Sequence, residues 1–112
     1  MRTSPPVLAV HGGAGNWEET ELERAKIEIF KALERGYEEF RRGSALEAVV
    51  EAVAYMEDSG AFNAGSGAVL TESGDRRTDA GVMLGPGLKV GAVANTRLKN
   101  PVRAALRVLQ EG

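Results

Sequence analysis

The chain has 112 residues, no cysteine and one histidine, and its 14 basic and 16 acidic side chains leave a formal charge of −2. These counts exclude a disulfide framework, a thiolate metal site, a cysteine nucleophile and a histidine-rich metal cage. The charge gives no reason to expect a nucleic acid or an anionic membrane as partner, no apolar run approaches the roughly 18 residues that span a bilayer, and the length suits a single core.

The start, Met1-Arg2-Thr3-Ser4-Pro5-Pro6, breaks before any long apolar stretch. No secretory signal is therefore expected, and the expected location is the cytoplasm. Val7-Leu8-Ala9-Val10 is an apolar run bounded by glycines, which predicts a buried strand. The cluster Gly12-Gly13-Ala14-Gly15 then predicts a tight turn. Thr20 and Glu23 have capping-box spacing, and Leu22, Ala25, Ile29, Leu33, Tyr37 and Phe40 continue in steps of three and four. That pattern is a helix with one apolar stripe, stopped at Gly43.

Ser44 and Glu47 form a second capping box. The residues after it, Ala45 to Met56, are apolar nearly all round, so this helix is expected between a sheet and another helix. Small residues fill the loop from Ser59 to Gly67. Ala68–Thr71, Thr78–Leu84 and Leu88–Ala94 read as three strands of an antiparallel meander, because their connections are short. Asn100-Pro101 opens a last helix with Asn as cap, and Val102, Ala105, Leu106 and Leu109 form its stripe. The expected order is β-α-α-β-β-β-α, an α+β arrangement in one unit spanning residues 1–112.

Chemistry is sparse along this frame. The glycine cluster lacks the Lys-Ser or Lys-Thr pair of a P-loop, and Glu18 stands where a dinucleotide fingerprint needs its third glycine. A tight turn explains it on physics alone. His11 has no partner nearby in sequence and reads as a hydrogen-bonded structural residue. The Met56-to-Gly67 loop is the unusual stretch. Its small residues let backbone carbonyls converge on a cation, and it carries one amide, Asn63, suited either to a turn or to a developing oxyanion. The carboxylates are scattered, and Arg97, Lys99 and Arg103 read as a solvated helix end.

Five stretches together resemble the plant-type L-asparaginase and isoaspartyl peptidase family of N-terminal-nucleophile hydrolases. They are Val10-His11-Gly12-Gly13-Ala14-Gly15; Met56-Glu57-Asp58 with Phe62-Asn63-Ala64-Gly65-Ser66-Gly67; Thr78-Asp79-Ala80-Gly81-Val82-Met83; Gly91-Ala92-Val93-Ala94; and Lys99-Asn100-Pro101-Val102. Each is weak alone; their shared order is specific.

The resemblance implies an αββα sandwich, cut by its own precursor into an α and a β subunit. It implies a threonine that is both nucleophile and, through its freed amine, general base. The substrates would be asparagine or isoaspartyl dipeptides. None of Thr3, Thr20, Thr71, Thr78 and Thr96 follows a glycine, so the nucleophile is expected in other polypeptide. These residues would then be the front part of the α subunit, inert alone, completed by the β subunit and assembled as a dimer of αβ units. Asn63 would sit beside the nucleophile, with Gly12 and Gly13 packed against the same spot. Carbonyls of Met56, Glu57, Ser59, Phe62, Ala64 and Ser66 would hold a structural sodium ion; no other cofactor is expected. Two features depart from the family pattern: Leu84 replaces a common aspartate, and Ser59-Gly60-Ala61 lacks a common proline. Two other readings compete. One is a glycosylasparaginase-like amidase, and the other is a non-catalytic binding or scaffold module that keeps the front half of the fold.

Overall fold

The computed structural model describes residues 5–112; Met1 to Ser4, on which the expectation about a secretory signal partly rests, lie outside the described residues. Helix α1 (Glu19–Glu39) and helix α2 (Ala45–Ser59) pack side by side. Small residues line their crossing: Gly36 lies against the Ala48 carbonyl and Ala52. Strands β1 (Thr78–Leu84) and β2 (Lys89–Thr96) form an antiparallel hairpin, and helix α3 (Pro101–Glu111) covers it.

The core has two parts, and α2 contributes to both. Val50 and Ala54 pack with Val82, Val102, Ala105 and Leu109. Met56 packs with Ala25, Ala32 and Phe62. The helix is thus enclosed by α1 on one side and by the sheet with α3 on the other, as its all-round apolar character predicts. Fully burying a side chain such as Val102 or Leu109 contributes about 1.5–3 kcal/mol.

The hairpin pairs Val82 with Gly91, and a bulge lies between Thr78 and Ala80. Asp79 explains the bulge: its carboxylate accepts the Asn95 N–H at 2.7 Å, where Asn95 adopts a φ of 56°. One face of the sheet (Ala80, Val82, Leu84, Val93) enters the core, while Met83 and Val90 on the other face are exposed.

Several expectations change in the fold. Residues 7–10 form no paired strand among the described residues, although Leu8 and Val10 are half-buried and Val7 and Ala9 exposed. That alternation is strand-like, but no described strand lies beside it to supply a ladder. Residues 68–71 make only an isolated bridge between Leu70 and Arg76. Side chains have taken their backbone groups: Asn63 Oδ1 accepts the Val69 N–H, and Arg76 Nε donates to the Ala68 carbonyl. The expected three-stranded meander is therefore a two-stranded hairpin. The first helix begins two residues early, because Glu18 and Glu21 form the capping box in place of Thr20 and Glu23. It ends at Glu39, and turns carry the chain to Gly43, whose N–H returns to the Glu39 carbonyl. Ser44 caps α2 as expected, and Gly60 closes it with a φ of 72°.

Glu51 ties three helices together. Its carboxylate accepts from Arg35 of α1 at 2.9 Å and from Arg103 of α3 at 2.7 and 3.2 Å. The Arg103 hydrogen bonds hold its carboxyl below the ordinary glutamate value, against the opposing effect of burial. A depressed carboxyl adds stability above its unfolded value and loses it as pH falls through the folded one. Glu51→Gln is therefore expected to cost about 1 kcal/mol at neutral pH, since both arginines are partly in water. Urea midpoints of variant and parent should converge below about pH 4; a gap that persists at pH 3 would assign the loss to packing instead.

Candidate functional site

The two glycine-rich segments, far apart in sequence, meet in space. Gly13 adopts a φ of +123°, and its carbonyl accepts the Trp17 indole N–H at 3.3 Å. The Trp17 ring meets Phe62 edge to face, with centroids 6.4 Å apart. Phe62 is buried, and it lies so close to Gly12 that an added β-carbon would stand 3.0 Å from its ring and 3.2 Å from Ile29. The glycine turn and the loop after α2 are therefore pinned through one aromatic pair. A cavity of about 180 Å³ opens beside them, lined mainly by Gly12, Trp17, Ile29, Phe30 and Phe62.

Asn63 follows Phe62 directly and is exposed. Its Oδ1 accepts the Val69 N–H at 3.0 Å, which closes the loop upon itself. That bond fixes the amide's orientation and leaves its NH₂ end to donate outward. His11 is also exposed, and it lines a separate cleft of about 290 Å³ between residues 8–11 and α2. The expected cluster of Arg97, Lys99 and Arg103 is divided among acids, with Arg97 on Asp75, Lys99 near Asp58 and Arg103 on Glu51.

Among the described residues no three histidine, cysteine or acidic side chains group as metal ligands. Backbone carbonyls are the relevant donors. A β-carbon at Gly67 would overlap the Phe62 carbonyl oxygen and stand 2.8 Å from that of Gly60. One at Gly65 would stand 2.8 Å from the Glu57 carbonyl oxygen and 2.5 Å from that of Lys99. Each glycine thus lets one pair of carbonyls approach, and of these four only Phe62 and Glu57 belong to the expected ligand residues; carbonyl oxygens are donors that suit a hard cation. Of the expected ligand residues, Met56 already accepts from Ser59 Oγ, Ser59 from the Arg24 guanidinium, Phe62 from the Ala64 N–H, and Ala64 from the Gly67 N–H. Each carbonyl keeps a second lone pair. Ser66 is exposed and Ala64 half-buried.

Sequence reasoning missed the side chain of Glu57. It is buried, 2% exposed. Its Oε1 accepts from Asn100 Nδ2 at 3.1 Å, and its Oε2 from the Val102 N–H at 3.1 Å. Burial pushes this carboxyl above the ordinary glutamate value, although the two donors pull it down. Asn100 stands at the N-cap of α3 without capping it; Glu57 reaches across from α2 to take the Val102 N–H in its place. The signal was in the spacing. Glu57 lies three residues after Ala54 and seven after Val50, on the buried face of α2.

Comparison with known proteins bears on the family of the chain. A family model described as asparaginase matches residues 4–112. The chain belongs to this asparaginase family. A plant-type L-asparaginase of Pyrococcus horikoshii is 43% identical over 106 residues, covering 93% of this chain and 35% of the relative. An isoaspartyl peptidase/L-asparaginase of Danio rerio is 46% identical over 108 residues, and one of Bos taurus is 41% identical over 109; each match covers 95% of this chain and 35% of the relative. The chain thus spans about a third of the length of the curated relatives it matches. A mixed fold of helices with a small antiparallel sheet suits a portion of such a hydrolase.

Proposed function

We propose that these residues form the front part of the α subunit of an amidohydrolase of the L-asparaginase and isoaspartyl peptidase type, acting in the cytoplasm. The substrate is the side-chain amide of asparagine or the β-aspartyl bond of an isoaspartyl dipeptide. The nucleophile is a threonine in polypeptide beyond these residues, freed by self-cleavage so that its own amine serves as base. That polypeptide, the β subunit, completes an αββα sandwich, and the αβ units pair as a dimer. Exposed apolar side chains on the outer sheet face, Met83 and Val90, support a second layer there.

The observation that supports the reading is the junction of Gly12, Trp17 and Phe62, because Phe62 directly precedes Asn63 in the chain. With Oδ1 occupied by Val69, the Asn63 amide donates to the nucleophile hydroxyl or to the oxyanion formed from the substrate carbonyl. Carbonyls of Met56, Glu57, Ser59, Phe62, Ala64 and Ser66 hold sodium in this reading, and the cation's part is to order the loop.

Steady-state kinetics of the full-length protein on L-asparagine and a β-aspartyl dipeptide test this. Turnover of at least one is expected, and Asn63→Ala should lower kcat/KM about 100-fold or more. A protein that hydrolyses neither amide, or an Asn63→Ala variant at parental rate, overturns the reading.

A further inference from the structure

The C-terminal turn of α2 bears the one buried carboxylate among the described residues, and nothing in the proposed chemistry uses it. Its surroundings are built from three segments. Asn100 Nδ2 and the Val102 N–H reach it from the start of α3, 43 and 45 residues later in the chain. Asn100 also donates to Asp58 at 3.0 Å, and Lys99 stands 3.7 Å from Asp58. The third segment is the Asn63 loop. Gly65 is buried and seated where a β-carbon would be 2.5 Å from Glu57 Cβ, 2.5 Å from the Lys99 carbonyl oxygen and 2.8 Å from the Glu57 carbonyl oxygen.

We propose that Glu57 is a positioning residue that acts through Asn63: by clamping the start of α3 to the end of α2, its carboxylate builds the seat for Gly65, two residues beyond Asn63. The inference rests on the reading of Asn63 given above. Its chemistry is specific to a carboxylate. Two donors converge on two acceptor oxygens, and the Val102 N–H belongs to the first turn of a helix, which favours a negative group. Glutamine has one acceptor oxygen and an NH₂ group, so it leaves one donor facing another. The start of α3 must then move away from α2. Lys99 moves with it, and the seat of Gly65 loosens. Asn63 keeps its bond to Val69 but shifts as part of the loop. Displacement on the ångström scale is costly for an oriented group in catalysis.

The test is a double-mutant cycle in the full-length protein, combining Glu57→Gln with Asn63→Ala and reading kcat and KM on L-asparagine separately. Glu57→Gln alone should lower kcat about tenfold or more with KM within about twofold. On the Asn63→Ala background it should change kcat by less than about twofold, because the group it positions is gone. Equal losses on both backgrounds, or an unchanged kcat in folded Glu57→Gln, overturn the proposal. If Glu57→Gln does not fold, Asn100→Ala, which removes the Oε1 donor together with its bond to Asp58 and leaves the Val102 N–H in place, is read in the same cycle with the same outcomes deciding. An Asn63→Ala variant that works at parental rate refutes the Asn63 reading, whereas a crippled Asn63→Ala beside a fully active Glu57→Gln refutes only this one.

Discussion

Gly91→Ala is expected to lower stability by about 3 kcal/mol, among the largest effects available to a single methyl group. Gly91 is buried where α3 crosses β2. A β-carbon there would overlap the Ala105 carbonyl oxygen and stand 2.5 Å from the Leu109 nitrogen and 2.8 Å from Leu109 Cβ. Two of these three obstacles are helix backbone, which has no rotamer to change. The helix has to lift from the sheet, and Val102, Ala105 and Leu109 leave the core with it. Chemical denaturation of variant and parent measures the difference. Gly85→Ala is the matched control, since its φ is −58° and nothing lies within 4 Å of its β-carbon position; its change should stay within about 0.5 kcal/mol. Equal stability of Gly91→Ala and Gly85→Ala would mean that α3 does not sit on β2 this closely.

Gly65→Ala combines two penalties. Its φ of +53° is left-handed, which costs a residue with a β-carbon about 1–2 kcal/mol. The new methyl would also press on Glu57 Cβ and on the Lys99 and Glu57 carbonyls, adding about 1–3 kcal/mol. The expected total is about 2–5 kcal/mol, measured by the same denaturation. In the full-length protein the change also moves the loop that carries Asn63, so under the proposed function hydrolysis of L-asparagine by the folded fraction should fall. A variant that loses stability but keeps its parental kcat would separate the seat of Gly65 from the chemistry.

Much of the frame is legible in the residues themselves. Steps of three and four mark α1, and Ser44 with Glu47 marks the start of α2. Asn100-Pro101 marks the start of α3. These are local signals, satisfied within a turn or two of chain. The strands were harder to read. Residues 68–71 have strand composition, yet Asn63 and Arg76 intercept their backbone groups. Propensity describes a residue's fit to a pleated surface and is silent on whether a neighbour or a side chain will take the hydrogen bond. Residues 7–10 meet the converse problem: their pattern is strand-like, but no described segment pairs with them.

The candidate site divides along the same line. Asn63, Gly12 and Gly13 stand out as residue types in an unusual pattern, and the family resemblance joins them. Trp17 carries no such mark; it matters because its indole takes the Gly13 carbonyl and its ring meets Phe62. The Glu57 carboxylate reads as one of several scattered acids, though its period on α2 puts it with Val50 and Ala54.

Chain order alone settles family membership, the presence of the three helices and the Ser44 start of α2, because each depends on nearby residues or on motif order. It leaves open which hydrogen-bonding groups find each other across 43 to 45 residues, as Glu57 finds Asn100 and Val102. Burial makes that choice: a carboxylate on the inner face of α2 must be satisfied once water is excluded, and the packing of α3 brings the donors within reach.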